Sequence, residues 1–326
     1  MRKTRNVVTI KGRIHDKSGL ALKKVQNQES TRYGQDFIGG SLDIATDDAG
    51  MNVVTVHFTF VQPTYSSGKV NSTYGVLKNI IESGKTILSD GAEEATIVKI
   101  DGSIELNDFY TDRGGQETLV SAKRISGSFV NLIKASELGD EKKRNAFEAD
   151  MFINGVNFVE ADEERKIPED YLTIKGAVFN FRNELLPVEF NVHSQGGIKY
   201  FESLDITPST PVFTKVWGNV ISSTVVEKIE EESAFGEPSV REVTKSHKEY
   251  VVTGTSSSDK HYEIGDEKNG ITSEELAKCK QDREVKLAEI KRRSDEYKAK
   301  KAAGGAAPSA SNGVQTAPVN TGDFLF

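Results

Sequence analysis

Two segments 116 residues apart share one build, a strand with glycine at an inward position. They are Lys99-Ile100-Asp101-Gly102-Ser103-Ile104 and Lys215-Val216-Trp217-Gly218-Asn219-Val220. In each, the glycine has the parity of the aliphatic residues, so the lysine and its second neighbour point away from the core. This echo is the best-preserved part of a longer repeat. Around the first copy, alternation predicts strands at Val7–Ile14, Phe37–Ala45, Asn52–Phe60, Ala95–Thr111 and Glu117–Leu132. A helical stripe of Val76, Leu77, Ile80 and Ile81 lies between the third and fourth strands. Residues Asp16 to Gln35 read as a polar connection.

The same order returns. Strands are expected at Phe147–Glu160, Tyr171–Phe181, Leu185–His193, Pro211–Val226 and Ser239–Thr255, with a short helix near Ile198–Ser203. Three strands, a helix and two strands is the order of an OB-fold barrel. The fold class expected is mainly β: two tandem OB-fold barrels at residues 1–140 and 141–255. A linker and charged helix follow at 256–301, then a flexible tail at 302–326. An identical Thr-Ile-Lys-Gly at 9–12 and 173–176 falls on strand one of the first copy and strand two of the second, so it lies outside the repeat.

Thr272-Ser273-Glu274-Glu275 forms a capping box, with Ile271 and Leu276 placed as a hydrophobic staple. The helix behind it is charged nearly all round and reads as a solvated spacer. The alternative is a docking seam of Leu276, Cys279, Leu287 and Ile290. Residues 302–321 are a small-residue tract with nothing to bury, and the chain then ends Gly322-Asp323-Phe324-Leu325-Phe326.

Net charge is -7, but its distribution is uneven. Residues 1–140 hold 17 basic and 17 acidic side chains, whereas 141–255 hold 13 and 20. A neutral first domain can still carry a basic groove. One cysteine, Cys279, precludes an intrachain disulfide, and no apolar run approaches a membrane span. The expected location is the cytoplasm. His15, His57, His193, His247 and His261 are scattered without metal-ligand spacing, and no phosphate loop, dinucleotide fingerprint or nucleophile elbow occurs. The chain reads as a non-enzyme without cofactor or metal.

Parity around Gly12 places Lys11 and Arg13 outside the first barrel, and parity around the echoed glycines does the same for Lys99, Lys215 and Trp217. The one tryptophan then either stacks on a base or packs against the other barrel or a loop. Phe58 and Phe60 share parity with Val54 and Val56, which favours the core, although Phe60 ends its strand. Phe109, Tyr110 and Arg113 lie at the mouth of the long hairpin, with at least one of the two rings outward. Lys123 and Arg124 follow on its return, where one should face a groove. The face that Phe179 and Phe181 share is not decided by the pattern.

The first domain resembles bacterial-type single-stranded DNA-binding proteins. The resemblance rests on VVTIKGRI near the N-terminus, SLDIATDD before the third strand, and KIDGSIELNDFYTDRGGQETLVSAK across strands four and five. The tail resembles the tip with which such proteins recruit replication partners, except that Asp323 is the one acid in the last thirty residues. With the duplicated barrel, the layout also resembles phage-encoded members of the family.

The resemblance implies binding and protection of single-stranded DNA during replication or recombination. It implies a stacking role for Phe60 and strand-wrapping by the hairpin tip that carries Phe109, Tyr110 and Arg113. It also implies capture of replication or recombination proteins by Asp323, Phe324, Leu325 and Phe326. Two barrels per chain would make a homodimer a four-barrel assembly. The rival readings are a structural protein-interaction module and a strand-annealing factor.

Overall fold

A computed structural model describes residues 1–113, 116–164, 167–231 and 239–302; the side chains at 113, 223–231, 239–247 and 300–302 fall outside the description. The first barrel is built from β1 (Asn6–Asp16), β2 (Leu20–Lys24), β3 (Asp36–Ala45), β4 (Val53–Val61), β5 (Ile97–Arg113) and β6 (Gln116–Leu132). Helices α1 (Ser72–Ser83) and α2 (Ile87–Asp90) lie between β4 and β5. The second barrel comprises β7 (Asn145–Val159), β8 (Tyr171–Phe179), β9 (Leu185–Val192), α3 (Gln195–Glu202), β10 (Val212–Glu231) and β11 (Ser239–Thr255). Helix α4 (Ser273–Ala302) follows.

Each barrel closes in the same way. The first runs β1-β5-β6-β4-β3 and returns to β1; the second runs β7-β10-β11-β9-β8 and returns to β7. The closing contact between the third and last long strands is parallel in both, Val56 opposite Ile125 and Asn191 opposite Val251. The fold is therefore mainly β with two OB-like barrels, and among the described residues eleven strands join one sheet. The echoed glycines mark equivalent bulges. The strand register slips between Asp101 and Gly102 and again between Trp217 and Gly218. A Cβ at Gly102 would lie 2.2 Å from the Ser126 carbonyl oxygen, and one at Gly218 would lie 1.9 Å from that of Val251. Only glycine permits that backbone approach.

The joint between barrels is an antiparallel pairing of their first strands, Asn6–Ile10 against Asn145–Ala149, with Val8 opposite Phe147. Pairing equivalent strands head to tail relates the barrels by a local two-fold. Their interiors form one contiguous apolar cluster that includes Val8, Ile10, Ile100, Phe147, Phe190 and Tyr250. Each barrel also lends its long hairpin to the other. Lys123 on β6 donates to the Glu189 carbonyl on β9 (2.6 Å), and Ser222 N–H on β10 donates to Asn52 Oδ1 before β4 (2.7 Å).

Several expectations need correction. The stretch read as a polar connection contains β2, whose Leu20 is buried while Leu22 and Lys24 are exposed. Five residues of weak alternation beside two lysines give little signal. The capping box is present: Glu275 N–H donates to Thr272 Oγ1 (3.2 Å) and Thr272 N–H to Glu275 Oε2 (3.0 Å). The helix behind it is no solvated spacer. Ile271, Leu276 and Cys279 pack with Phe152, Phe179 and Phe213 on the outside of the second barrel. Beyond them, Arg283 makes a nearly buried ion pair with Asp108 (2.9 Å). Lys286 pairs with Glu184 and Lys298 with Glu117. A helix that looks polar all round is charged because its partner surface is acidic.

Candidate nucleic-acid interface

The joint between β1 and β7 lays six strands side by side in the order β11-β10-β7-β1-β5-β6, every neighbour antiparallel. The residues that turn away from both cores share one outer face. On β1, Val8, Ile10, Gly12 and Ile14 are buried and Thr9, Lys11 and Arg13 alternate with them outward, as parity predicts. On β5, Lys99 and Asp101 alternate with buried Val98 and Ile100; on β10, Lys215 and Trp217 alternate with buried Val216 and Gly218. Trp217 is 40% exposed, which sets aside the reading that it packs against the other barrel. Its indole sits over Gly254, where a Cβ would come within 2.5 Å of the ring, so the glycine opposite makes room for it.

An aromatic that sequence reasoning missed completes the face. Phe129 stands opposite Asp101, just as Gly254 stands opposite Trp217, and is 56% exposed. The two barrels thus present one exposed ring each at the same place, from the last strand in the first barrel and the fourth in the second. The signal available was an apolar residue at an outward position of β6, but the bulge at Gly102 blurs that parity.

The cations on this face are engaged locally. Lys99 pairs with Asp101 (2.9 Å), which also accepts from Thr9 Oγ1 (2.8 Å). Lys215 and Arg5 both pair with Glu148 (3.0 and 2.9 Å). Lys11 lies directly opposite Lys99 and reaches the Glu137 carbonyl (3.1 Å), while Arg13 donates to the Ala92 carbonyl (2.8 Å). Such exposed contacts are worth about 0–1 kcal/mol each. An incoming phosphate can therefore replace the carboxylate or carbonyl at little cost.

The remaining candidates lie elsewhere. Phe58 is buried, whereas Phe60 emerges at the barrel rim, 36% exposed, with Phe37 at 4.6 Å and the Arg32 guanidinium at 5.6 Å. Phe109 is exposed on the hairpin, but Tyr110 lies beneath Lys291 of α4 at 5.2 Å. Tyr110 is thus brought to the helix rather than to an open groove. The Arg113 side chain and the tip Asp323, Phe324, Leu325 and Phe326 lie outside the described residues.

Lys123 requires correction. Its ammonium is held between barrels by the Glu189 carbonyl and lies 5.3 Å from the Tyr250 ring centroid. Burial pushes its pKa down to about 8, against the pull of Glu189 and Glu249. Lys123 stands opposite Leu106 and shares the inward parity of Ile125, and beyond the first barrel's core that side of the hairpin is covered by the second barrel. Burial, and then the charges of Lys248 and Arg124, lower His57 to about 4. Burial also lowers Lys248 and Arg124.

Among the described residues, no group of three or more His, Cys, Asp or Glu side chains could hold a metal ion, and no helix is long and apolar enough to cross a membrane. A family model described as YorF matches residues 4–293. No curated protein matches the chain. Among solved structures, the wild-type single-stranded DNA binding protein from Thermus aquaticus aligns at 9% identity and a TM-score of 0.44, over 78% of this chain and 93% of that one. A deletion mutant of the same Thermus aquaticus protein aligns at 10% identity and a TM-score of 0.43, over 78% and 95%.

Proposed function

The chain belongs to the YorF family, and we propose that it is a non-enzymatic binder of single-stranded DNA, indifferent to sequence, that uses both barrels. The observation carrying this reading is the pair of exposed rings, Trp217 and Phe129, at matched places on one continuous sheet face, flanked by outward Lys99 and Lys215. Rings on a sheet stack with any base, and lysines beside them neutralise phosphates, so such a face binds by stacking and counterion release. Base pairs would hide the faces that the rings need, which favours single strands over duplex. Phe60 at the rim and Phe109 on the hairpin extend the same chemistry to other edges.

In this reading, residues 1–140 and 141–255 act as two binding units. Asp323–Phe326 recruits replication or recombination proteins, and the setting is phage or host DNA metabolism in the cytoplasm. Those points rest on the sequence resemblance. The test is quenching of Trp217 fluorescence by oligo-dT and by duplex of equal length, at two salt concentrations. Saturable quenching by single strands alone, weaker at high salt, is the predicted result. No quenching and no gel shift by any single strand would overturn the reading and favour a protein-interaction module.

A further inference from the structure

Beside the sheet face, on the second barrel, residues ahead of β1 form a cleft of about 430 Å³ with the end of β8. Its lining includes Arg2, Lys3, Arg5, Lys215, Asp150 and Phe181. Four cations line this space with one carboxylate, Asp150, while Arg5 and Lys215 also pair with the partly exposed Glu148 beside it (2.9 and 3.0 Å), contacts that a phosphate can replace. Asp150 is fully buried and accepts from Arg5 N–H (2.9 Å) and from the Tyr262 hydroxyl (2.8 Å). The Arg2 guanidinium lies 3.6 Å from the Tyr262 ring centroid, while its buried Nε makes no hydrogen bond. Asp150 Oδ2 is 3.6 Å from that Nε, too far to accept from it. Lys3 is exposed at the rim.

The arm that carries these cations is pinned. Asp150 N–H donates to the Arg5 carbonyl (2.8 Å), and Arg2 N–H donates to the Gly270 carbonyl (3.0 Å). The aromatic wall is fixed as well. Phe181 sits in the β8–β9 turn, where Asn180 Oδ1 accepts from Arg182 and Glu184 N–H (both 3.0 Å). Asn183 adopts the left-handed conformation there (φ 61°). The Phe181 ring is 85% exposed, with the Arg182 guanidinium 5.1 Å from its centroid.

We propose that this cleft is a nucleotide subsite for single-stranded DNA, with a phosphate among Arg2, Lys3, Arg5 and Lys215 and the attached base on Phe181. The inference rests on the proposed function and extends it, because Lys215 also belongs to the sheet face. Lys215 and Trp217 lie on the same side of β10, roughly 7 Å apart. A strand leaving Trp217 thus meets Lys215 and enters the cleft. A single exposed phenylalanine is ordinary. One in a rigid turn at a cleft lined by Arg2, Lys3, Arg5 and Lys215 fits an anion that carries a flat apolar group. Duplex does not fit, because its bases cannot reach the ring.

The experiment compares oligo-dT of increasing length against the full chain, against Phe181→Ala, and against Lys3→Glu/Arg5→Glu, with Trp217 fluorescence as the readout and thermal unfolding as the folding control. For long oligonucleotides, Phe181→Ala is expected to weaken binding about tenfold. The double charge reversal is expected to flatten the dependence of log K on log salt by roughly 1.4, the release from two single-strand phosphates. If the full chain binds oligo-dT and quenches normally while either variant matches it, the subsite is wrong and the broader reading stands. If the full chain binds no oligo-dT, the broader reading itself fails.

Discussion

The two barrels place the same groups by different means. In the first, β5 carries Asp101 at the outward position beside the bulge glycine, and Phe129 across from it supplies the ring. In the second, the fourth strand carries Trp217, and the residue across is Gly254. The cations have moved too. Lys11 stands opposite Lys99 in the first barrel, and the matching place opposite Lys215 is taken by Asp150. Asp150 binds the arm whose Arg2 and Arg5 restore positive charge from outside the barrel. The difference teaches that the two barrels share backbone geometry, with bulge glycines and closure in common, while ring and charge sit on different strands.

The comparison can be broken most severely at the barrels' shared clasp. Asp108 and Arg283 are 2% and 10% exposed, so Arg283→Ala should leave a buried carboxylate short of its partner and cost about 3–5 kcal/mol. Chemical denaturation would measure it, and a loss under 1 kcal/mol would return α4 to the status of a spacer. If the bulges are equivalent, Gly102→Val and Gly218→Val should each cost about 3 kcal/mol or more, since a Cβ would meet backbone oxygen in both. A clear inequality in their unfolding midpoints would show that only one barrel depends on its bulge.

Binding sharpens the comparison further. Phe129→Ala and Trp217→Ala should each weaken oligo-dT binding by about 1–3 kcal/mol, measured by anisotropy with labelled DNA. The smallest effect is acid sensitivity at His57 on β4. His57 titrates near 4 in the fold instead of its ordinary 6.5, because burial and nearby cations oppose its charge. The unfolded chain therefore takes up that proton first. The stability His57 contributes is complete above pH 6.5 and is lost as pH falls toward 4. Allowing for its partial exposure, the loss is about 1–2 kcal/mol. His57→Gln should remove that slope; an unchanged slope would place the acid sensitivity elsewhere.

What could be read from sequence was local. Period-two alternation located the long strands, the glycine echo marked equivalent strands in the two barrels, and Thr272–Glu275 located the start of α4. Pairing of β1 with β7 left no such trace, because Asn6–Ile10 looks like any half-buried strand. Lys123 shows the same boundary from the site's side. It shares the parity of buried Ile125, but nothing in its own strand reports that the second barrel fills that side. Trp217 was legible because its outside is open, and Phe129 was not because a bulge breaks the count. The arm residues Arg2, Lys3 and Arg5 precede every periodic element, so only the folded chain brings them to Phe181.

The most direct test of one face shared by both barrels is the length dependence of the two aromatic substitutions. Affinities of short and long oligo-dT should be measured for the full chain, Phe129→Ala, Trp217→Ala and the double variant. A continuous path predicts that long oligonucleotides lose affinity with either substitution and lose most with both, while short ones are less affected by each single change. Long oligonucleotides that are indifferent to both rings, or duplex bound as tightly as single strands, would contradict it.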